Sequence, residues 1–346
     1  MDVDRIATSR ALGIACAAGA AVWLAAGVAA QRPTPPAGQN RLAATDSVGD
    51  ADVHVLPVQG NVYMLVGAGG GNITLQAGDD GVVLVDTSIE ALTDKVLKAI
   101  RSVSTKPIRY IINTHVHPDH VGGNAGLARQ GAVIAGGNMG LNSYNGAAII
   151  AHENVLVRMS APTGQEAPFP QAALPTDTYF TKKKDLFFNG EAIEMLHEPS
   201  AHTDGDSIVF FRRSDVVSAG DVFVTTTYPV IDLDRGGNIR GVLGALNHIL
   251  DITVPREKQE GGTYVIPGHG RLSDEADVLE YRDMLTIVRD RIQDLVTNGM
   301  TLEQVKAAHP TLDYDGRYGA ATGFWTTDKF IEAVYRNLSA ERTKSR

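Results

Sequence analysis

Asn113-Thr114-His115-Val116-His117-Pro118-Asp119-His120 sets the fold, because it places three imidazoles and a carboxylate within six residues directly after an apolar run. Such side chains are rarely buried unless they are paired or bound to a metal. Imidazole and carboxylate are also the ligands Zn²⁺ takes when no thiolate is offered. The preceding Ile108-Arg109-Tyr110-Ile111-Ile112 reads as a buried strand that can begin only after Pro107. In extended backbone His115 and His117 point the same way, since side-chain direction repeats every two residues. Pro118 then turns the chain, and Asp119-His120 open an expected helix running to about residue 130. The first His pair can therefore hold one metal while Asp119 and His120 face a second.

Upstream, the pattern predicts strands at Val53–Val58, Val62–Val66, Ile73–Ala77 and Val82–Asp86, with Gly60-Asn61 and Asp79-Asp80-Gly81 as turns. Gly67-Ala68-Gly69-Gly70-Gly71 lacks the Lys-Ser/Thr of a phosphate cradle and joins strand to strand, so it reads as a mobile hairpin tip. An amphipathic helix is expected from Ile89 to Ser102, with Leu92, Val96, Leu97 and Ile100 on one face.

Downstream, a strand is expected at Ala132–Ala135 and a helix around Ala147–Met159. Residues 160–183 carry four prolines and read as an irregular loop over a site. Strands then follow at Glu191–His197, Ser207–Phe211, Val216–Gly220 and Tyr264–Ile266. Three times an apolar run hands over to His202, Asp221 or His269 in a loop containing glycine. From Asp274 the chain turns helical. Val278, Tyr281, Leu285, Val288, Ile292 and Leu295 form an apolar stripe that would pack on the parent domain or, alternatively, serve as a homodimer seam. Thr301 and Gln304 form a capping box, and a last helix spans about Asp328–Leu338.

Composition narrows the partners. The 346 residues are 43% hydrophobic and 21% charged, as in an ordinary globular protein. A formal net charge of −9 without a basic run argues against nucleic acid. Arg5 and Arg10 precede the apolar stretch Ala11–Ala30, so residues 1–30 read as a signal peptide and imply a periplasmic or secreted protein. An uncleaved leader would instead anchor the chain to a membrane; after cleavage no stable membrane contact is expected. Cys16, the only cysteine, lies in this leader. Residues 31–50 read as a flexible linker.

Taken together, His115-x-His117-x-Asp119-His120, Ala201-His202-Thr203, Gly220-Asp221 and Pro267-Gly268-His269-Gly270, with Asp86 closing its strand, resemble the metallo-β-lactamase fold superfamily over about 53–275. The resemblance implies an α/β fold, the αββα sandwich, as a catalytic domain over 51–275 with a C-terminal helical extension at 276–346. It implies two Zn²⁺ per chain, with iron or manganese suiting the same ligands. His115, His117 and His202 would hold the first ion, Asp119, His120 and His269 the second, and Asp221 would bridge both. Two divalent ions about 3.5–4 Å apart repel unless anionic groups lie between them. Counting Asp119, Asp221 and a shared hydroxide leaves a surplus of about one positive charge, which favours a small-molecule substrate with a carboxylate or developing oxyanion.

The activity this implies is hydrolysis of a carbonyl compound (β-lactam, lactone, ester or thioester) by the shared hydroxide, with Asp119 moving the proton. Asp221 and the absence of a mature cysteine depart from the β-lactamases that ligate metal through Cys. Acyl-homoserine lactonases share the bridging Asp, but many place Tyr where Val224 stands here. The alternative class is an iron-dependent oxidoreductase of dioxygenase type. Asp86 and Thr203 are expected to orient ligand imidazoles. Tyr228 and Phe324-Trp325 would either line the pocket or pack, and His54, His152, His197, His248 and His309 would stay outside the site.

Overall fold

The computed structural model describes residues 52–132, 146–161, 168–258 and 261–344. The expected leader, the linker and most of the strand at Ala132–Ala135 lie outside the described residues. One sheet runs β1 (His54–Gln59), β2 (Val62–Val66), β3 (Ile73–Gly78), β4 (Gly81–Val85), β5 (Ile108–Ile112), β6 (Ala148–His152), β7 (Asp177–Tyr179) in that spatial order. The second contains β8 (Lys183–Phe188), β9 (Glu191–Glu198), β10 (Asp206–Phe211), β11 (Val216–Ser218), β12 (Tyr264–Ile266) and β13 (Ser273–Asp274).

Alternation builds the layers. In β4, Val83 and Val85 face the space between the sheets, where they meet Ile193, Met195, Val209, Phe211 and Ile266. Val82 and Leu84 face outward onto α1 (Thr93–Val103), against Val96 and Ile100. Successive strand residues point to opposite faces, so a sheet covered on both sides reads as continuous Val/Ile/Leu. The second sheet does the same: Ile208 and Phe210 pack outward on the apolar face of a later helix (Ile239–Ile252). Helix, sheet, sheet, helix is the αββα order.

Three sequence expectations need correction. The helix expected over 119–130 is two short ones, α2 (Pro118–Val121) and α3 (Asn124–Arg129). Between them a Cβ on Gly122 or Gly123 would strike the backbone of Pro118, Glu90 or Thr87, so the chain steps closer there than a continuous helix allows. The helix expected around Ala147–Met159 is β6 followed by α4 (Glu153–Ser160). A short apolar run cannot tell strand from helix by period alone; parallel pairing with β5 decides it. Finally, residues expected to form an irregular loop contain β7 and the start of β8, an edge strand whose Lys183, Lys184 and Asp185 hide its alternation.

The helix at Ile239–Ile252, α5, falls in a stretch for which the sequence reading offered no element. It begins at Asn238, whose side chain accepts from the Arg240 N–H. The chain ends in α6 (Glu275–Thr297), α7 (Leu302–Ala307), α8 (Asp315–Tyr318) and α9 (Thr327–Lys344). Capping boxes start α6 at Asp274 and α7 at Thr301. The stripe Val278, Tyr281, Leu285, Val288 and Ile292 packs into one core with β10, β11, α5 and the Phe330, Ile331, Val334 face of α9.

Candidate metal centre and its comparison with known proteins

The seven expected ligands converge. Asp86 and His115–His120 follow β4 and β5, Asp221 follows β11 and His269 follows β12, all at the carboxyl ends of parallel strands. His202 comes from the turn between β9 and β10. Open α/β sheets place their sites at such strand ends.

Two groups form. In the first, His202 Nε2 lies 2.8 Å from His117 Nδ1, and Asp221 Oδ2 is 3.7 Å from His202 Nε2 and 4.0 Å from His115 Nε2. In the second, His269 Nε2 lies 3.1 Å from Asp119 Oδ2 and 3.3 Å from His120 Nε2. Asp221 Oδ1 reaches this second group, 3.2 Å from His120 Nε2 and 3.5 Å from His269 Nε2. The two oxygens of one carboxylate are thus divided between the groups. Four ligands at about 2.0–2.1 Å around a tetrahedral ion lie about 3.3 Å from one another. The separations, from 2.8 to 4.0 Å, bracket that value, so shifts of about half an ångström would seat a cation in each group. His115 Nε2 and Asp221 Oδ1 are buried without a hydrogen-bond partner, the condition a cation would relieve.

The far nitrogens of four imidazoles are held. His120 Nδ1 is 2.8 Å from Asp86 Oδ2, and His202 Nδ1 donates to the Val230 carbonyl at 2.6 Å. His115 Nδ1 is 3.0 Å from Thr114 Oγ1, whose hydroxyl donates to Asp86. His117 Nε2 is 2.8 Å from Asp232 Oδ2, a residue the sequence did not single out. Such anchors fix tautomer and ring orientation. Asp86 does so from a left-handed backbone (φ 64°) that non-glycine residues seldom adopt. Thr203 does not play the expected part: its N–H and hydroxyl both donate to Asp206.

Charge follows the same division. Burial, followed by the neighbouring imidazoles, holds His115 well below its ordinary value; burial and His117 bring His202 down to about 4. Both therefore present free lone pairs. Burial also lowers His120 and His269, but Asp221, Asp86 and Asp119 outweigh it and raise both. Ligation requires neutral imidazole, so a cation taken up there releases protons. Burial pushes Asp119 up, yet the His269 hydrogen bond and the His120 charge hold it below the usual carboxylate range.

Glycine permits the approach at two places. A Cβ on Gly268 would fall 1.9 Å from Asp221 Oδ1, and one on Gly71 would fall 2.4 Å from the His120 ring. Gly71 is buried and its N–H donates to the Asp119 carbonyl, so the end of the expected mobile hairpin tip is fixed against the ligand segment. Asn72 ties that loop across the sandwich to the Pro267 and Gly270 carbonyls.

A cavity of about 1070 Å³ opens on the cluster. Its wall comes from the 224–235 segment and from residues 320–336, including Phe324 and Trp325. No described residue of the 160–183 segment, expected to cover the site, lines it. Tyr228 packs instead, stacked on Phe330 with its hydroxyl donating to Asp315. His54, His152, His197, His248 and His309 join none of the metal-capable groups among the described residues.

The family model described as the metallo-beta-lactamase superfamily matches residues 66–285, well over half the chain. The chain belongs to the metallo-beta-lactamase superfamily. Within that superfamily it is 25% identical over 260 residues to the linear primary-alkylsulfatase of a Pseudomonas species, covering 65% of this chain and 47% of the relative. It is 22% identical over 209 residues to a metallo-beta-lactamase type 2 of a Bacillus species, covering 59% of this chain and 68% of the relative. The chain thus spans about half the length of the alkylsulfatase it matches. Among solved structures, the stereoselective inverting sec-alkylsulfatase Pisa1 from Pseudomonas superposes with TM-score 0.58 at 17% identity, over 82% of this chain and 50% of that one. The metallo-beta-lactamase from Pontibacter korlensis gives 0.51 at 16%, over 68% and 99%. These likenesses carry the fold.

Proposed function

We propose that the chain is an exported, binuclear metal-dependent hydrolase that cleaves a carbonyl substrate (β-lactam, lactone, ester or thioester). His115, His117 and His202 would hold one cation, Asp119, His120 and His269 the other, and Asp221 would be shared. The division of the two Asp221 oxygens between the two groups is the observation that carries this reading. When bound, the cations, zinc by the preference of the donor set, polarise the scissile group and lower the pKa of water from 15.7 to about 7.

The chain's own residues do the rest. Asp86, Asp232 and the Val230 carbonyl hold the imidazoles in the required tautomers. Asp119, ionised at neutral pH and on the cavity wall, accepts a proton and returns it to the leaving group. Phe324 and Trp325 shield an apolar substrate body from water. The leader of residues 1–30 supports export to the periplasm.

Sulfate-ester cleavage is the second reading, supported by the alkylsulfatase relatives and the apolar wall. Zinc-loaded protein assayed on nitrocefin, lactones, aryl esters, thioesters and alkyl sulfates separates the two. Turnover of a carbonyl member, lost on chelation, is expected; turnover of alkyl sulfates alone replaces the first reading with the second. Iron content with oxygen uptake and no hydrolysis would overturn both.

A further inference from the structure

The cavity wall holds charges of different status. Lys329, Glu332, Ala333 and Arg336 recur at helical spacing and line the cavity from one face of α9, whose Phe330, Ile331 and Val334 are buried in the core. Arg336 is balanced by Glu332, which also receives Lys306. Arg235, on the 224–235 side, is balanced by Asp232 at 2.8 Å. Lys329 differs. Its ammonium donates to the Phe324 carbonyl at 2.6 Å and sits 5.6 Å from the Phe324 ring centroid, with no carboxylate partner among the described residues. An ammonium carries three donors, so two are uncommitted. The 224–235 side instead presents Asp234, an exposed carboxylate that repels an anion there. Phe324 is 81% exposed: an apolar surface beside the Lys329 ammonium and on the cavity wall.

We propose that Lys329 is a specificity-determining residue that receives an anionic group carried by the substrate away from the bond being cleaved. The substrate class is then an apolar-bodied ester bearing a second, anionic end: the body lies on Phe324 and Trp325, the charge on α9 and the scissile group on the metal cluster. This rests on the hydrolase reading for the last clause alone, since Lys329 and its apolar neighbours bind an anion whether or not cations occupy the cluster.

The test uses binding, which needs no turnover. Trp325 is the only tryptophan besides Trp23 of the leader, and it lines the cavity, so its emission reports occupancy. The full chain is treated with chelator and titrated with 4-phenylbutyrate and, separately, its neutral analogue 4-phenylbutanamide. The carboxylate is expected to bind about fivefold more tightly, with the preference shrinking as salt screens it. Lys329→Met should remove the preference and leave the amide unaffected, Lys329→Arg should keep it, and Trp325→Phe should abolish the signal. Equal affinities in the parent chain, or a preference that survives Lys329→Met, overturn the proposal. Hydrolysis of neutral esters by the metal-loaded protein is scored separately, so a failed hydrolase reading and a failed Lys329 assignment give different results.

Discussion

The two halves of the metal cluster are built from similar donors and differ in access. In the first group the side chains of His115 and His202 are 1% exposed and that of His117 is 17%, and three imidazoles gather at one carboxylate. In the second, His120 is fully buried but Asp119 and His269 are 35% and 31% exposed, and a second carboxylate joins. The first group, the more sealed of the two, is pre-organised, with each imidazole anchored on its far nitrogen. Both groups reach the cavity, the first through His117 and His202 and the second through Asp119 and His269, and the second offers it the more exposed donors, which in the proposed hydrolase would exchange protons with the substrate. Asp221 belongs equally to both.

The largest effect is therefore expected from Asp221. Asp221→Ala should lower turnover by about 10³-fold or more, because Lewis-acid stabilisation is worth several kcal/mol and each 1.36 kcal/mol is tenfold. Metal analysis of the purified variant should show both cations weakened. His202→Ala and His269→Ala sharpen the comparison: each should leave about one cation per chain by mass spectrometry, retained in the sealed group for His269→Ala. Equal loss from both groups in both variants would break it.

One step out, Asp232→Asn and Asp86→Asn remove the carboxylates behind His117 and His120. Each should weaken metal affinity about 10–100-fold, measured by competition with a chelator, Asp232 acting on the first group and Asp86 mainly on the second. Gly268→Ala should do comparable harm without removing any ligand, since its methyl would overlap Asp221 Oδ1.

How much of this was legible in sequence depended on distance along the chain. His115, His117, Asp119 and His120 announce themselves because their chemistry is concentrated in six residues after a strand. His202, Asp221 and His269 each sit in a loop containing glycine that follows an apolar run, a weaker signal made useful by recurring three times. Asp232 gave none: it serves His117 from 115 positions away, a carboxylate between Ile231 and Leu233 with no other ligand type nearby to mark it. The cavity wall was half read. Phe324 and Trp325 stood out as an aromatic pair that would cap either the site or the C-terminal helices, but Lys329 matters only because α9 turns one face to the core and the other to the cavity. The irregular 160–183 segment drew attention that belonged to the 224–235 segment, because proline content marks a loop without saying what it covers.

The smallest effect lies away from the cluster. His152 stacks on His197 with ring centroids 3.5 Å apart, and burial, then the His197 charge, brings its pKa down to about 4. A histidine held below its unfolded value contributes its stability above about pH 6.5 and loses it as pH falls toward its folded value. Melting temperatures of the parent chain and of His152→Gln should therefore differ most at pH 7 and converge near pH 4. A constant difference across that window would contradict the assignment.

The most direct test is an anomalous difference map at the zinc edge from crystals of the metal-loaded protein. The account predicts two peaks about 3.5–4 Å apart on either side of the Asp221 carboxylate, one among His115, His117 and His202 and the other among Asp119, His120 and His269. One peak alone, or density away from Asp221, would contradict it.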